Sequence, residues 1–115
     1  MIQKRKIAVP TKGNEGLEDQ VSEAFARAQA FTIINVEGTK VENVEVIPNQ
    51  AVSYTHGAGP VVVKTLTDLG VNMVIAREFG PGVSTLLEHF NIAKVEVQPG
   101  TPVSEAIKQG LQRAR

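Results

Sequence analysis

The pattern of apolar and polar positions in the first half of the chain predicts three β-strands. Residues 5–9 form a nearly continuous apolar run, which is typical of a central strand buried on both faces. Residues 31–36 predict a second strand, and residues 41–47 predict a third in which valines alternate with polar side chains. Only a short stretch containing Gly38 separates these two strands, so we predict that they form an antiparallel hairpin.

In the second half, helical and strand patterns follow one another. Apolar side chains recur every three to four positions over residues 60–69 and 81–90, which predicts two helices that each bury one face. Residues 71–76 and 95–97 predict strands. Thr101 and Pro102 are typical of an N-cap and a first helical position, so we predict a last helix from there to about residue 112. We also predict a short irregular helix ending near Arg27.

This order of elements predicts an α/β protein with a five-stranded mixed sheet. Alternating helices and strands after residue 41 imply parallel strands joined by right-handed crossovers. The first and fourth strands are apolar throughout and belong in the centre, whereas the alternating third and fifth belong at the edges. The predicted strand order is therefore 3-2-1-4-5 with strand 2 antiparallel, a ribonuclease H-like three-layer fold. No linker or repeat interrupts the chain, so residues 1–115 are predicted to form a single domain.

Composition excludes several classes of protein. The 115 residues carry 12 Lys and Arg against 12 Asp and Glu, and zero net charge argues against nucleic acid or an anionic membrane as the partner. No apolar run approaches the roughly 20 residues of a membrane helix or the roughly 7–15 of a signal peptide, so we predict a cytoplasmic protein. The absence of cysteine excludes a disulfide framework, a thiol nucleophile and any cluster held by the protein's own thiolates.

The candidate chemistry lies at one edge of the predicted sheet. The carboxyl ends of strands 1, 3, 4 and 5 meet there, and open α/β sheets bind ligands at this edge. Two glycine-rich loops, residues 54–60 and 78–82, lead into predicted helices, and a helix N-terminus with glycines favours the close approach of an anion. The candidate binding residues at this edge are Thr11, Lys12, Arg27, His56, Gly57, Gly59, Gly80 and Gly82.

His56 is the only side chain of these glycine-rich loops that binds metals or exchanges protons near neutral pH, so it is the candidate metal ligand. The alternative interpretation is a pair of tight turns and a loop histidine that binds nothing. His89, on the second predicted helix, is interpreted as a solvated surface residue. The first strand lacks the carboxylate that a ribonuclease H-like nuclease needs, and no phosphate-binding loop or nucleophile motif is present. We therefore predict no catalytic residues and no enzymatic activity.

Several segments, in this order, carry a resemblance to a known family. They are Ile7-Ala8-Val9-Pro10, residues 21–28 leading into residues 31–34, His56-Gly57-Ala58-Gly59-Pro60, residues 71–76 followed by Gly80-Pro81, and residues 101–107. Over nearly its whole length the chain resembles the dinitrogenase iron–molybdenum cofactor biosynthesis domain, whose members include carriers of that cofactor or its precursor. The resemblance implies a ribonuclease H-like fold and non-covalent binding of a metal–sulfur cluster, with His56 as the contact. Ala24 stands where many members have a second histidine.

The leading hypothesis is a carrier for a preassembled, anionic cluster of molybdenum, iron and sulfur, with cluster-donating and cluster-accepting proteins as partners. Two alternatives stay open. The same turns could bind a small anion or nucleotide in a regulatory module without metal. The predicted edge strands at residues 41–47 and 95–97 could instead pair with another protein or with a second copy of the chain.

Overall fold

A central β-sheet with helices on both faces organises the chain, and the computed structural model describes residues 3–113. In chain order the elements are β1 (Lys4–Thr11), a 3₁₀ turn (Gly16–Glu18), β2 (Ala30–Glu37), β3 (Lys40–Pro48), α1 (Ala58–Asp68), β4 (Met73–Ala76), α2 (Pro81–His89), β5 (Ala93–Glu96) and α3 (Val103–Arg113). None of the helices within residues 3–113 is both long enough and apolar enough to cross a membrane.

The strand order is β3-β2-β1-β4-β5, which confirms the predicted topology. β1 pairs antiparallel with β2 and parallel with β4, and β3 and β5 form the two edges. Ile7, Ala8 and Val9 of β1 have no exposed surface, as the continuous apolar run predicted for a central strand. β1, β3, β4 and β5 therefore point the same way. Their carboxyl ends meet along one side of the sheet, where the strands terminate, and we call this side the ligand edge.

Two apolar cores lie on opposite faces of this sheet. On one face Ala8 and Val74 pack with Val62 and Leu66 of α1 and with Leu87 of α2. On the other face alternate residues of the same strands pack against α3, and they include Ile7, Ile75, Val103 and Ile107. Successive side chains of a strand point to opposite faces, which is how β1 and β4 contribute to both cores. The arrangement is the predicted three-layer α/β fold.

Three local predictions were wrong. β5 spans Ala93–Glu96 and not residues 95–97, because all four residues pair in register with β4. α3 begins at Val103, and its first helical hydrogen bond runs from the Ala106 amide to the Pro102 carbonyl at 2.9 Å, so Pro102 and not Thr101 stands at the N-cap position. The short helix before Arg27 does not form.

The segment before Arg27 is held by hydrogen bonds to distant residues. The Val21 amide donates to the Thr101 carbonyl at 2.9 Å, and the Ser22 amide donates to the Pro10 carbonyl at 2.8 Å. Their partners are a neighbouring strand and the loop before α3, so these amides are not available to a helix. Arg27 consequently lies in an irregular turn.

Candidate functional site

Aromatic packing joins separate loops at the ligand edge. The Phe25 ring lies 5.6 Å from the Phe31 ring and 5.6 Å from the Phe79 ring, both edge to face. Phe25 belongs to the segment between β1 and β2, Phe31 to β2, and Phe79 to the loop between β4 and α2. Such pairs contribute on the order of 1 kcal/mol each beyond the area that they bury. The loops after β1 and β4 are thereby fixed relative to each other.

The buried side-chain amide of Asn49 joins the loop after β3 to the segment that follows Phe25. The Asn49 Nδ2 donates to the carbonyls of Ala26 and Ala28 at 2.8 and 2.9 Å, and its Oδ1 accepts from the Ala51 amide at 3.0 Å. The residue is only 8% exposed. Sequence reasoning did not single out Asn49, and the only available signal was a polar amide directly after an alternating strand.

Arg27 positions the backbone that leads to His56. Its Nε donates to the Tyr54 carbonyl and its Nη2 to the Thr55 carbonyl, each at 2.7 Å. The rigid fork of the guanidinium matches two successive carbonyls, and bonds from a charged donor are stronger than neutral ones. Sequence reasoning placed Arg27 at this edge as a candidate ligand contact, and the structure adds its role in fixing the loop.

His56 stands at the junction between this loop and α1. Its side chain is exposed, and no hydrogen bond or ion pair within residues 3–113 engages it. Gly57 follows as the N-cap residue of α1 with φ of 75°, a left-handed conformation that glycine adopts without steric cost. The turn at Gly57 lets the chain pass from the Arg27-bound loop directly into the helix and leaves the imidazole accessible.

The first turns of α1 and α2 are in contact. A Cβ atom placed on Gly59 would lie 2.8 Å from Val83 Cγ2, a distance that side chains essentially never adopt. Glycine at position 59 therefore permits this close approach of the two helices. Sequence reasoning selected Gly59 for backbone access to a ligand, and the structure shows that it also sets the spacing between the helix starts.

Both helix starts leave amide groups available. The first helical hydrogen bonds run from the Val61 amide to the Gly57 carbonyl and from the Ser84 amide to the Gly80 carbonyl, and no N-cap side chain accepts a bond from either helix start. Helix geometry then leaves the amides of the preceding residues without intrahelical acceptors. They are Ala58 and Gly59 in α1 and Gly82 and Val83 in α2, because Pro60 and Pro81 carry no N–H.

Thr11 and Lys12 lie in a different environment. Thr11 has no exposed surface, and its hydroxyl donates to the Gly13 carbonyl at 3.2 Å and lies 3.1 Å from the Thr32 hydroxyl. The Lys12 ammonium donates to Gln20 at 3.2 Å. In the described part of the chain, no hydrogen bond or ion pair connects either side chain to residues 54–57.

Taken together, the ligand edge offers one imidazole, one guanidinium and several amides to a ligand. Within residues 3–113 no group of three or more histidine, cysteine, aspartate or glutamate side chains is arranged to hold a metal ion. One histidine is a weak site for a bare metal ion, which needs about four ligands when tetrahedral.

The role of Arg27 predicts a local effect of its substitution. In Arg27→Lys, the charge stays but the forked pair of bonds to Tyr54 and Thr55 is lost. We expect hydrogen exchange at the Tyr54 amide, which donates to the Ala51 carbonyl at 3.0 Å, to accelerate by about tenfold, with global stability changed by less than about 1 kcal/mol. Hydrogen exchange measured by NMR checks this, with Lys12→Arg as a control of equal charge. Unchanged exchange at the Tyr54 amide in Arg27→Lys contradicts the positioning role.

The fold and this edge define a class of protein: a small, open-sheet α/β protein whose ligand edge carries a histidine beside two helix starts. A family model described as dinitrogenase iron–molybdenum cofactor matches residues 4–113. The chain therefore belongs to this family, which confirms the resemblance drawn from its motifs.

Individual relatives agree in length, and the solved structures among them agree in fold. An uncharacterized protein of Methanocaldococcus jannaschii is 29% identical over 107 residues, which are 93% of this chain and 86% of that protein. The apo form of the orange protein from Desulfovibrio gigas superimposes with a TM-score of 0.84 at 25% identity, covering 97% of this chain and 91% of that one. A candidate NifB protein from Thermotoga is 34% identical, with a TM-score of 0.75 and coverage of 95% and 89%.

Proposed function

We propose that this protein is a non-enzymatic carrier for a preassembled, anionic metal–sulfur cluster of the molybdenum–iron type. The observation that carries the proposal is the contact between the uncapped first turns of α1 and α2, directly after His56. Membership of the dinitrogenase iron–molybdenum cofactor family supports the kind of cargo. The chain has no cysteine, so the sulfur of the cluster belongs to the cargo.

Each part of the site has a distinct proposed role. The His56 imidazole ligates one metal atom of the cluster. The amides of Gly59 and Gly82 face its anionic sulfur or oxygen atoms, and the adjoining helix dipoles favour negative charge at this point. Arg27 adds a positive charge next to the same loop. We do not include Thr11 and Lys12 in the contact set, because the Thr11 hydroxyl is buried and Lys12 bonds to Gln20.

The proposed contacts bind the cluster reversibly. Hydrogen bonds to a charged acceptor contribute about 1.5–3 kcal/mol each, and a few of them with one metal ligand correspond to affinity that a partner can compete away. Reversibility is what a carrier needs between a protein that donates the cluster and one that accepts it. We propose cytoplasmic cluster-handling proteins as these partners.

Substitution of His56 tests the proposal, and the chain offers a matched control. Wild type, His56→Ala and His89→Ala are incubated anaerobically with the iron–molybdenum cofactor or with tetrathiomolybdate, desalted, and analysed for metal and absorbance. We expect His56→Ala to retain about tenfold less metal than wild type. His89 lies at the end of α2 beside Phe90, with ring centroids 4.9 Å apart, and its substitution is expected to leave retention unchanged. Equal retention by wild type and His56→Ala contradicts the proposal.

The amides of the two helix starts also favour a second candidate, a module that binds a small oxyanion or nucleotide without metal. The His56→Ala and His89→Ala variants also distinguish this candidate function from the cluster carrier. A thermal shift with phosphate or a nucleotide that His56→Ala does not reduce, together with no cluster retention by wild type, supports the second candidate.

A further inference from the structure

A second concave surface lies at the edge of the sheet opposite the ligand edge. It is formed by the start of β1, the turn between β2 and β3, the 3₁₀ turn and one side of α3. Its volume is about 780 Å³, within the range of roughly 300–1,000 Å³ of small-molecule sites. We call it the α3 groove. Nothing in the proposed carrier function uses it.

The walls of the α3 groove are apolar and recessed. Leu17, Val41, Ile107 and Leu111 form them, and Ile107 is only 3% exposed whereas the other three are half-buried. The exposed large hydrophobic residues of the described chain are Tyr54, Leu69 and Phe90, and none of them borders the groove. The groove therefore presents no protruding anchor of its own, and its volume and recessed apolar walls suit the insertion of a small apolar group.

The charge of the groove has one sign. Arg5 and Lys108 line it, and none of the lining residues that the structure describes is acidic. The Lys108 ammonium has no hydrogen bond or ion pair within residues 3–113. The chain as a whole has zero net charge, so this is a local excess of positive charge beside an apolar wall. A ligand complementary to it has an apolar body and an anionic head.

We propose that the α3 groove binds a small amphipathic carboxylate, such as a medium-chain fatty acid. Its apolar tail lies against Val41, Ile107 and Leu111, and its carboxylate lies at the ammonium of Lys108. The carboxylate is the part that fixes orientation, because the walls offer only non-directional contacts. This proposal does not depend on the cluster-carrier function, since the two sites lie at opposite edges of the sheet.

Octanoate, kept below its critical micelle concentration, is a suitable probe. In a ¹H–¹⁵N NMR titration we expect saturable shifts of the amides of Gly38, Thr39 and Leu111, with no shifts at residues 54–59. Lys108→Gln is expected to weaken octanoate binding by about five- to tenfold, because it removes the charged partner and keeps the length of the side chain. Lys64→Gln is the matched control, since Lys64 pairs with Asp68 on α1 and is remote from the groove.

Two further comparisons test the tail and the location. Leu111→Gln, which makes one wall polar, is expected to weaken octanoate binding by about fivefold or more while the remaining amide spectrum stays folded. His56→Ala is expected to bind octanoate as wild type does, which separates this site from the cluster site. The proposal is overturned by equal affinity for octanoate and 1-octanol, by equal affinity in Lys108→Gln and wild type, or by shifts that do not saturate.

Discussion

Replacing Asn49 by alanine is expected to lower the free energy of unfolding by about 3 kcal/mol. The substitution removes two bonds to the carbonyls of Ala26 and Ala28 and one bond from the Ala51 amide. These groups are shielded from water, so they would lose their partners without full compensation by solvent. Urea denaturation followed by circular dichroism measures the effect, and a Tm decrease of about 10 °C or more accompanies it.

Two neighbouring variants sharpen this test. Asn49→Asp keeps the acceptor for Ala51 but turns both donors into a carboxylate that faces two carbonyls, so we expect it to be at least as destabilising as alanine. Gln50→Ala alters the exposed neighbour and is expected to change stability by less than about 0.5 kcal/mol. If Asn49→Ala were as stable as Gln50→Ala, the amide would not be what holds the loops together.

Replacing Asp19 by alanine is expected to have an effect of similar size, about 3 kcal/mol, in the loop that follows β1 at the same edge. The carboxylate is 6% exposed and accepts bonds from the amides of Gly13, Glu15 and Gln20 at 3.0, 3.1 and 2.8 Å. Three amide donors around a buried carboxylate are charge-assisted bonds, stronger than neutral ones. Their loss frees the loop between β1 and the 3₁₀ turn.

The comparison variants for Asp19 are Asp19→Asn and Glu18→Ala. The asparagine keeps the shape but presents an NH₂ group to amide donors, so we expect it to recover less than half of the lost stability. Glu18 is exposed in the adjacent position, and its substitution is expected to cost less than about 0.5 kcal/mol. Chemical denaturation of the three variants checks this, and a full recovery by Asp19→Asn contradicts the role of the charge.

These two residues show how the ligand edge is built. The loops that carry His56 and the residues around Gly13 have little regular structure of their own, and buried polar groups satisfy their backbone. A loop held in this way keeps its geometry without a ligand. We therefore expect the site to be formed before any cargo arrives, which lowers the ordering cost of binding.

Part of this site was visible in the sequence. The glycine-rich loops, the helix starts that follow them and His56 were identified from residue types and spacing, because turns and helix starts have strong local preferences. The sequence also predicted Arg27 at this edge. Its bonds to Tyr54 and Thr55, however, span sequence separations of 27 and 28 positions. No local pattern carries that information.

The fold itself was largely determined by the sequence. Continuous apolar runs marked β1 and β4 as central, and alternation marked β3 and β5 as edges, so the strand order followed from burial together with the predicted hairpin of β2 and β3. The exceptions, the start of β5 and the irregular segment before Arg27, are places where pairing with distant residues overrides local propensity.

The sequence by itself thus determined which segments are strands and helices, how the sheet is ordered and which edge carries the glycines and His56. Only the tertiary structure decided that Gly59 lets α1 touch α2, that Asn49 and Arg27 fix the loop before His56, and that Thr11 is buried. The physical reason is that the periodicity of burial is a local property of each segment. A contact between two loops, in contrast, exists only once the sheet has brought their ends together.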